Sequence, residues 1–245
     1  RALSDAPVAQ QSVMVRVLAA SDSVDAVDAS VRPLLEDVFE PAGASIPLTI
    51  RSTSLRPAGE IEGPARAQLT VLGAYPEIER HAELIDGRWP VAGTSPVEAA
   101  LSVGAAGQLG LALGDTYALA DASSTGADPN VVVVEVVVVG LFEPDPRDPY
   151  WLANALDLAG SEGTSIRFRG PFMVAREELL AAGRFSQVDL RWRALPNIDR
   201  LRIDQLPNLQ ARIRGLPGRV DGALSSSRSA EVTTELAGVL GGIDR

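Results

Sequence analysis

The 245-residue chain contains no lysine; all 22 of its basic residues are arginine. That absence excludes a phosphate-loop lysine, a Schiff-base lysine, a kinase-type lysine and a Ser–Lys dyad. Cysteine is absent too, which rules out a disulfide framework, a thiolate nucleophile and any cysteine-ligated zinc or iron–sulfur cluster. Histidine occurs once, as His81. A Ser–His or metal-hydrolase site would have to be built on that residue alone. Its surroundings, Glu79-Arg80-His81-Ala82-Glu83, read as a charged, solvated helical stretch. Long apolar runs are also missing. The longest uncharged run, 99–114, has 16 residues and includes four glycines and Gln108. A membrane helix needs roughly 20 apolar residues.

Basic excess is missing as well: 32 acidic against 22 basic residues leave a net charge of −10 and a pI near 4.7. An acidic chain without a basic run is a poor partner for nucleic acid or anionic lipid. No Gly-x-Ser-x-Gly elbow occurs, and Gly104, Gly107 and Gly110 lack the dinucleotide-binding spacing. The residues themselves therefore indicate no catalytic group, no cofactor and no metal. The chain starts at Arg1 and reads as a soluble piece of a longer protein, with any anchor outside it.

What is present is a globular composition, 46% hydrophobic, with 22 glycines and 17 prolines that call for many turns and short elements. Val13, Val15 and Val17 alternate with Met14, Arg16 and Leu18 as in a strand. Val24, Val27, Val31, Leu34, Leu35 and Val38 recur at helical spacing, with Pro33 predicting a kink or break. Strands are predicted around Ile46, Leu48 and Ile50 and over 66–75, then a short helix from Pro76 to Leu84. Further on, 97–103 reads as a strand, 105–109 as a helix, 116–120 as a strand, and 131–139 as a strand of eight valines around Glu135. Val132, Val134, Val136 and Val138 form an all-valine face for the core, while Glu135 faces solvent and interrupts an aggregation-prone run.

Strands over 165–174 and around Val188, Leu190 and Trp192 follow, with a short helix over 177–182. Leu206, Leu209, Ile213 and Leu216 predict another helix, 215–222 a break, and Ser229 the cap of a final helix bearing Val232, Leu236 and Leu240.

Three groups of residues invite a functional reading. Glu143, Asp145 and Asp148 share a loop stiffened by Pro144, Pro146 and Pro149; they are either calcium ligands or solvated carboxylates, and their order fits no EF-hand. Arg191 and Arg193 flank Trp192 on the opposite strand face and would grip an anion only if a third basic group converged on them. Trp89, Tyr150 and Trp151 stand where the chain changes character. They serve either as packing at a seam between lobes or as an apolar surface for a ligand or partner chain.

Four segments occur in a telling order. They are Glu83-Leu84-Ile85-Asp86-Gly87-Arg88-Trp89-Pro90, Val97-Glu98-Ala99-Ala100-Leu101-Ser102, Leu109-Gly110-Leu111-Ala112-Leu113-Gly114-Asp115 and Val136-Val137-Val138-Val139-Gly140-Leu141-Phe142. Together with the Trp192 strand, the helical tail and Glu231-Val232-Thr233-Thr234-Glu235-Leu236, this order resembles the extracytoplasmic (MacB-like periplasmic core) domain of FtsX-like ABC transporter permeases. The resemblance implies an α+β, two-lobe domain: a mixed α/β porter-like lobe from both chain ends (1–90 and 165–245) with an inserted β-rich lobe (91–164).

It further implies a non-enzymatic domain on the extracytoplasmic face of the bacterial cell membrane, set between membrane helices. Such a domain transmits conformational change from cytoplasmic ATP hydrolysis or contacts cargo or a partner protein. The implied partners are a second permease copy or paralogue, a cytoplasmic ATPase subunit reached through the membrane part, and an extracellular cargo or partner protein. No long adaptor-binding hairpin is evident, as expected of a Gram-positive system. Both termini should leave the first lobe at one end. Two other readings stay open: a secreted carboxylate-dependent hydrolase and a free-standing solute-binding module.

Overall fold

The computed structural model describes residues 11–59, 68–122, 131–152, 154–164, 166–224, 230–234 and 236. The chain opens with strand β1 (Val13–Ala20), whose Val13, Val15 and Val17 are buried while Leu18 is exposed. Helix α1 (Val24–Phe39) runs unbroken through Pro33. Pro33 and Ala29, the residue whose carbonyl loses its helical donor, both lie on the exposed face, where water can take that carbonyl. Burying Val24, Val27, Val31, Leu35 and Val38, at about 1.5–3 kcal/mol each, outweighs the ~3 kcal/mol that an interior proline costs.

Strands β2 (Leu48–Ser52), β3 (Leu55–Pro57), β4 (Gln68–Leu69) and β5 (Leu72–Ala74) follow. The single strand expected over 66–75 is thus two. Glu77 adopts a left-handed backbone (φ 55°), which stops a helix at its start. In place of the expected 76–84 helix stand a 3-10 turn (Ile78–Arg80) and strand β6 (Ala82–Gly87).

Strand β7 (Val97–Ser102), helix α2 (Val103–Leu109) and strand β8 (Thr116–Asp121) fall where alternation and glycine punctuation placed them, whereas the long strand β9 (Val132–Pro144) runs past the expected 131–139 and takes in Glu143 and Pro144 of the expected loop, because β6 pairs with it there. Ser102 caps α2 by accepting from the Ala105 amide. Val134, Val136 and Val138 are buried and Glu135 is exposed, but Val132 is 49% exposed at the strand's open end.

Helix α3 (Ala155–Ala159), strands β10 (Ser161–Glu162), β11 (Arg167–Arg169) and β12 (Phe172–Met173), and helix α4 (Arg176–Leu180) lead to strand β13 (Gln187–Ala194). Helix α5 (Leu206–Ala223) carries straight through the break expected over 215–222. Gly215, Pro217 and Gly218 all sit on its exposed side, while Leu209, Ile213, Leu216 and Val220 stay buried. The predicted final helix is instead strand β14 (Ala230–Thr234), paired antiparallel with β1. The β-branched run Val232-Thr233-Thr234 suits a strand, and pairing satisfies backbone groups along β1 that a helix would leave open. Ser229 and Leu240, and the termini Arg1 and Arg245, lie outside the described residues.

The chain divides into two compact units, one of Arg1–Thr49 with Asp189–Arg245 and one of Ile50–Val188. In the first, strands run in the order β14-β1-β13-β2, with α1 and α5 packed together. In the second the order is β2-β5-β12-β7-β9-β8-β3, with β6 on β9, and β10-β11-β4 form a small separate sheet. The fold is α+β. The division falls at 49/50 and 188/189 rather than at the expected 90/91 and 164/165. The reason is pairing: β12 joins β5 in parallel (Phe172 to Leu72) and meets β7 through Met173 and Ala100. Residues on both sides of 91–164 are thereby hydrogen-bonded into one unit with it. Among the described residues, no helix is long and apolar enough to cross a membrane.

Candidate functional site

The three sequence-predicted aromatics do come together, inside the second unit. Tyr75, Ala100, Phe142, Tyr150, Trp151 and Met173 form a buried cluster, and Trp89 packs against it half-buried. Trp151 lies 6.0 Å from Tyr75 and 5.0 Å edge-on from Tyr150, and Trp89 lies 5.6 Å from Phe142. Tyr150 and Trp151 are 3% and 1% exposed. They belong to the interior of this unit and offer no surface; of the three, Trp89 alone reaches solvent.

The proline-stiffened loop explains how those rings are aimed. Asp148 accepts from the Tyr150 amide at 2.8 Å, fixing the turn that turns Tyr150 and Trp151 inward. Its other oxygen lies 2.7 Å from His81 Nδ1. His81 stacks on Tyr150 with ring centroids 3.8 Å apart and planes 9° from parallel. The Tyr150 hydroxyl donates to the Pro76 carbonyl at 3.0 Å, and Trp151 Nε1 donates to the His81 carbonyl at 3.0 Å. The single histidine is therefore one half of a clamp between two turns.

His81 makes no hydrogen bond to a serine or threonine hydroxyl among the described residues. Asp145 accepts from the Arg147 amide, and exposed Glu143 stands opposite Glu83 across the β6–β9 pair. Among the described residues no group of three or more His, Asp or Glu side chains is placed to hold a metal ion.

A third basic group does converge on Arg191, but it brings counter-charge. Arg16 and Arg191 both donate to Asp189, at 2.9 and 2.7 Å, and Arg16 also reaches Glu231 at 3.5 Å. The hydrogen bond to Asp189 raises the Arg16 pKa against the opposing effect of burial. Arg193 instead donates to Thr49 Oγ1 at 2.6 Å. Two cations balanced by two carboxylates leave no charge to grip an anion.

Besides Asp189, three buried carboxylates among the described residues escaped sequence reasoning. Asp157 accepts from Arg51 at 2.6 Å and from the Tyr75 hydroxyl at 2.5 Å, with the Arg51 guanidinium 5.6 Å from the Tyr75 ring centroid. Glu98 binds Arg88 through both oxygens and accepts from the Val91 amide at 3.1 Å. The Arg88 hydrogen bonds hold the Glu98 carboxyl below the usual range, opposed by desolvation. Glu178 pairs with Arg184 and accepts from the Gly93 amide at 2.7 Å. Glu98 was the most legible, a charge in the otherwise apolar run Val97–Leu101.

No family model matches the chain, and no curated protein matches it. Among solved structures it is similar to the crystal structure of the periplasmic region of MacB from Actinobacillus actinomycetemcomitans. The identity is 10%, the coverage 97% of this chain and 94% of that chain, and the TM-score 0.42.

Proposed function

We propose that the chain is the extracytoplasmic domain of an FtsX-like, MacB-type ABC transporter permease. It performs no chemistry of its own; it passes conformational change from cytoplasmic ATP hydrolysis outward or contacts cargo or a partner protein. The order of short motifs over 83–142 supports this reading on the sequence side.

The structural observation that carries it is the pairing of β1 with β14. Val13 and Thr234 are antiparallel partners, and the Thr234 hydroxyl donates to the Ser12 carbonyl at 2.9 Å. The first and last described strands of the first unit thus lie side by side, with Val13 next to Thr234. A domain inserted between two membrane helices has that requirement, because helices in contact pack about 8–10 Å apart. The buried aromatic cluster, whose Tyr75 and Tyr150 hydroxyls and Trp151 indole are hydrogen-bonded within the protein, fits a mechanical element rather than a reaction site.

The test is made on the parent protein reconstituted with its ATPase. A fluorophore on Glu79→Cys is expected to change emission on ATP addition, and not with a hydrolysis-deficient ATPase. Turnover in a glycoside and ester panel, abolished by one carboxylate substitution in this chain, would overturn the reading.

A further inference from the structure

The connection from β6 to β7 carries the motif residues Arg88, Trp89 and Pro90 and runs on to Pro96. Among the described residues, no backbone-to-backbone hydrogen bond reaches any residue of 89–96. Two glutamates hold the segment instead. Glu98 accepts from the Val91 amide at 3.1 Å, while its own amide donates to Thr94 Oγ1 at 3.1 Å. Glu178 accepts from the Gly93 amide at 2.7 Å. One glutamate stands on β7 and the other on α4, so the segment is strapped between those two elements. Val91, Ala92, Gly93 and Ser95 along it are exposed.

Both ends of this strap are fixed. The Arg88 amide donates to the Val139 carbonyl at 2.9 Å. Backbones pack so closely there that a side chain at Gly87 would strike the Val139 carbonyl, and one at Gly140 the Arg88 carbonyl. At the other end every residue of β7 is buried. Between the ends, Gly93 takes a left-handed backbone (φ 81°) that other residues rarely adopt.

The two glutamates can release the strap without being stranded. Glu98 binds Arg88 through both oxygens, and Glu178 binds Arg184. Neither arginine lies on 89–96, so each carboxylate keeps its counter-charge when the strap lifts. The uncompensated buried charge that makes breaking such a pair costly never arises. Opening gives up two amide bonds to carboxylates, one bond to a hydroxyl, and the packing of Trp89 on Phe142 at 5.6 Å.

We infer that 89–96 is a lid that opens and closes as one unit, with Glu98 and Glu178 as its latches. Open, it lifts Trp89 from Phe142 and bares the edge of the aromatic cluster; closed, it covers that edge. Lids are drawn from the segments of lowest local stability, and this one is tied by side chains alone between well-packed ends. The inference does not depend on the transporter reading.

Hydrogen exchange tests it, because the two latched amides have separate acceptors. In the unmodified chain Val91 and Gly93 are expected to show equal protection factors, about tenfold or more below those of the β7 amides paired with β9. Glu178→Gln keeps the side-chain shape and weakens one latch. It should speed exchange about tenfold at Gly93 and by the same factor at Val91, whose own acceptor is untouched, with β7 unchanged. Unequal protection at Val91 and Gly93, or acceleration confined to Gly93, would show two independent contacts and overturn the inference. Protection in the strap equal to that of β7 would overturn it too, since the whole unit would then open together. The measurement on the unmodified chain decides the matter even if the variant folds poorly.

Discussion

Arg51 and Asp157 form a buried ion pair at 2.6 Å inside the second unit, both side chains at most 5% exposed. Tyr75 completes it by donating to the same carboxylate. Removing the cation leaves a buried carboxylate without its partner. Arg51→Ala is expected to cost about 3–5 kcal/mol in urea denaturation, and Tyr75→Phe nearer ~1 kcal/mol. Equal, small losses would show that the pair is not buried.

Trp151 and Trp89 share one cluster but differ in exposure. Trp151→Ala should destabilise by about 3–5 kcal/mol through cavity formation, while Trp89→Ala should cost clearly less. A negligible cost at Trp151, measured by thermal or chemical unfolding, would return that residue to the surface role the sequence allowed.

Acid should act through Glu98. Its folded pKa lies below its unfolded value, so its contribution is present above the ordinary carboxylate range and is lost as pH falls through the folded pKa. Glu98→Gln is expected to be less stable than the unmodified chain at pH 7, with the gap closing below about pH 4. A gap that widened on acidification would reverse the assignment.

Pro33 lies exposed in the middle of α1, where its ring contributes nothing to the buried stripe. Pro33→Ala restores a helical donor and should raise stability by about 1–3 kcal/mol, read as a higher Tm. A lower Tm would mean the proline relieves strain not visible in the helix.

Local pattern decided the elements whose neighbours lie close in sequence. The valine alternation of β1 and β9, the apolar stripe of α1 and the β7–α2–β8 succession were all readable, since each buries one face at a fixed period. β6 and β14 were not. Val232 and Leu236 stand at helical spacing, and 76–84 looks like a charged helix. In both segments a distant strand, β1 or β9, supplies hydrogen bonds that local spacing does not reveal. Helix α5 ran past Gly215 because tertiary burial of Leu216 and Val220 overrode glycine and proline propensity.

The candidate site divides in the same way. The loop turn at Asp148-Pro149 was legible from its prolines, but its contact with His81 spans 67 residues and Glu178 reaches Gly93 across 85. Burial of Tyr150 and Trp151 depended on those long-range contacts. Aromatic content alone did not distinguish a seam, a ligand surface and an interior.

Location is the central claim, and the cysteine-free chain lets one labelling experiment test it. Glu79→Cys, exposed on its 3-10 turn, would be the only thiol this chain contributes to the parent protein in intact cells. A membrane-impermeant maleimide should modify it without permeabilisation, as an extracytoplasmic domain requires. Modification only after the membrane is breached would place the domain in the cytoplasm and contradict the account.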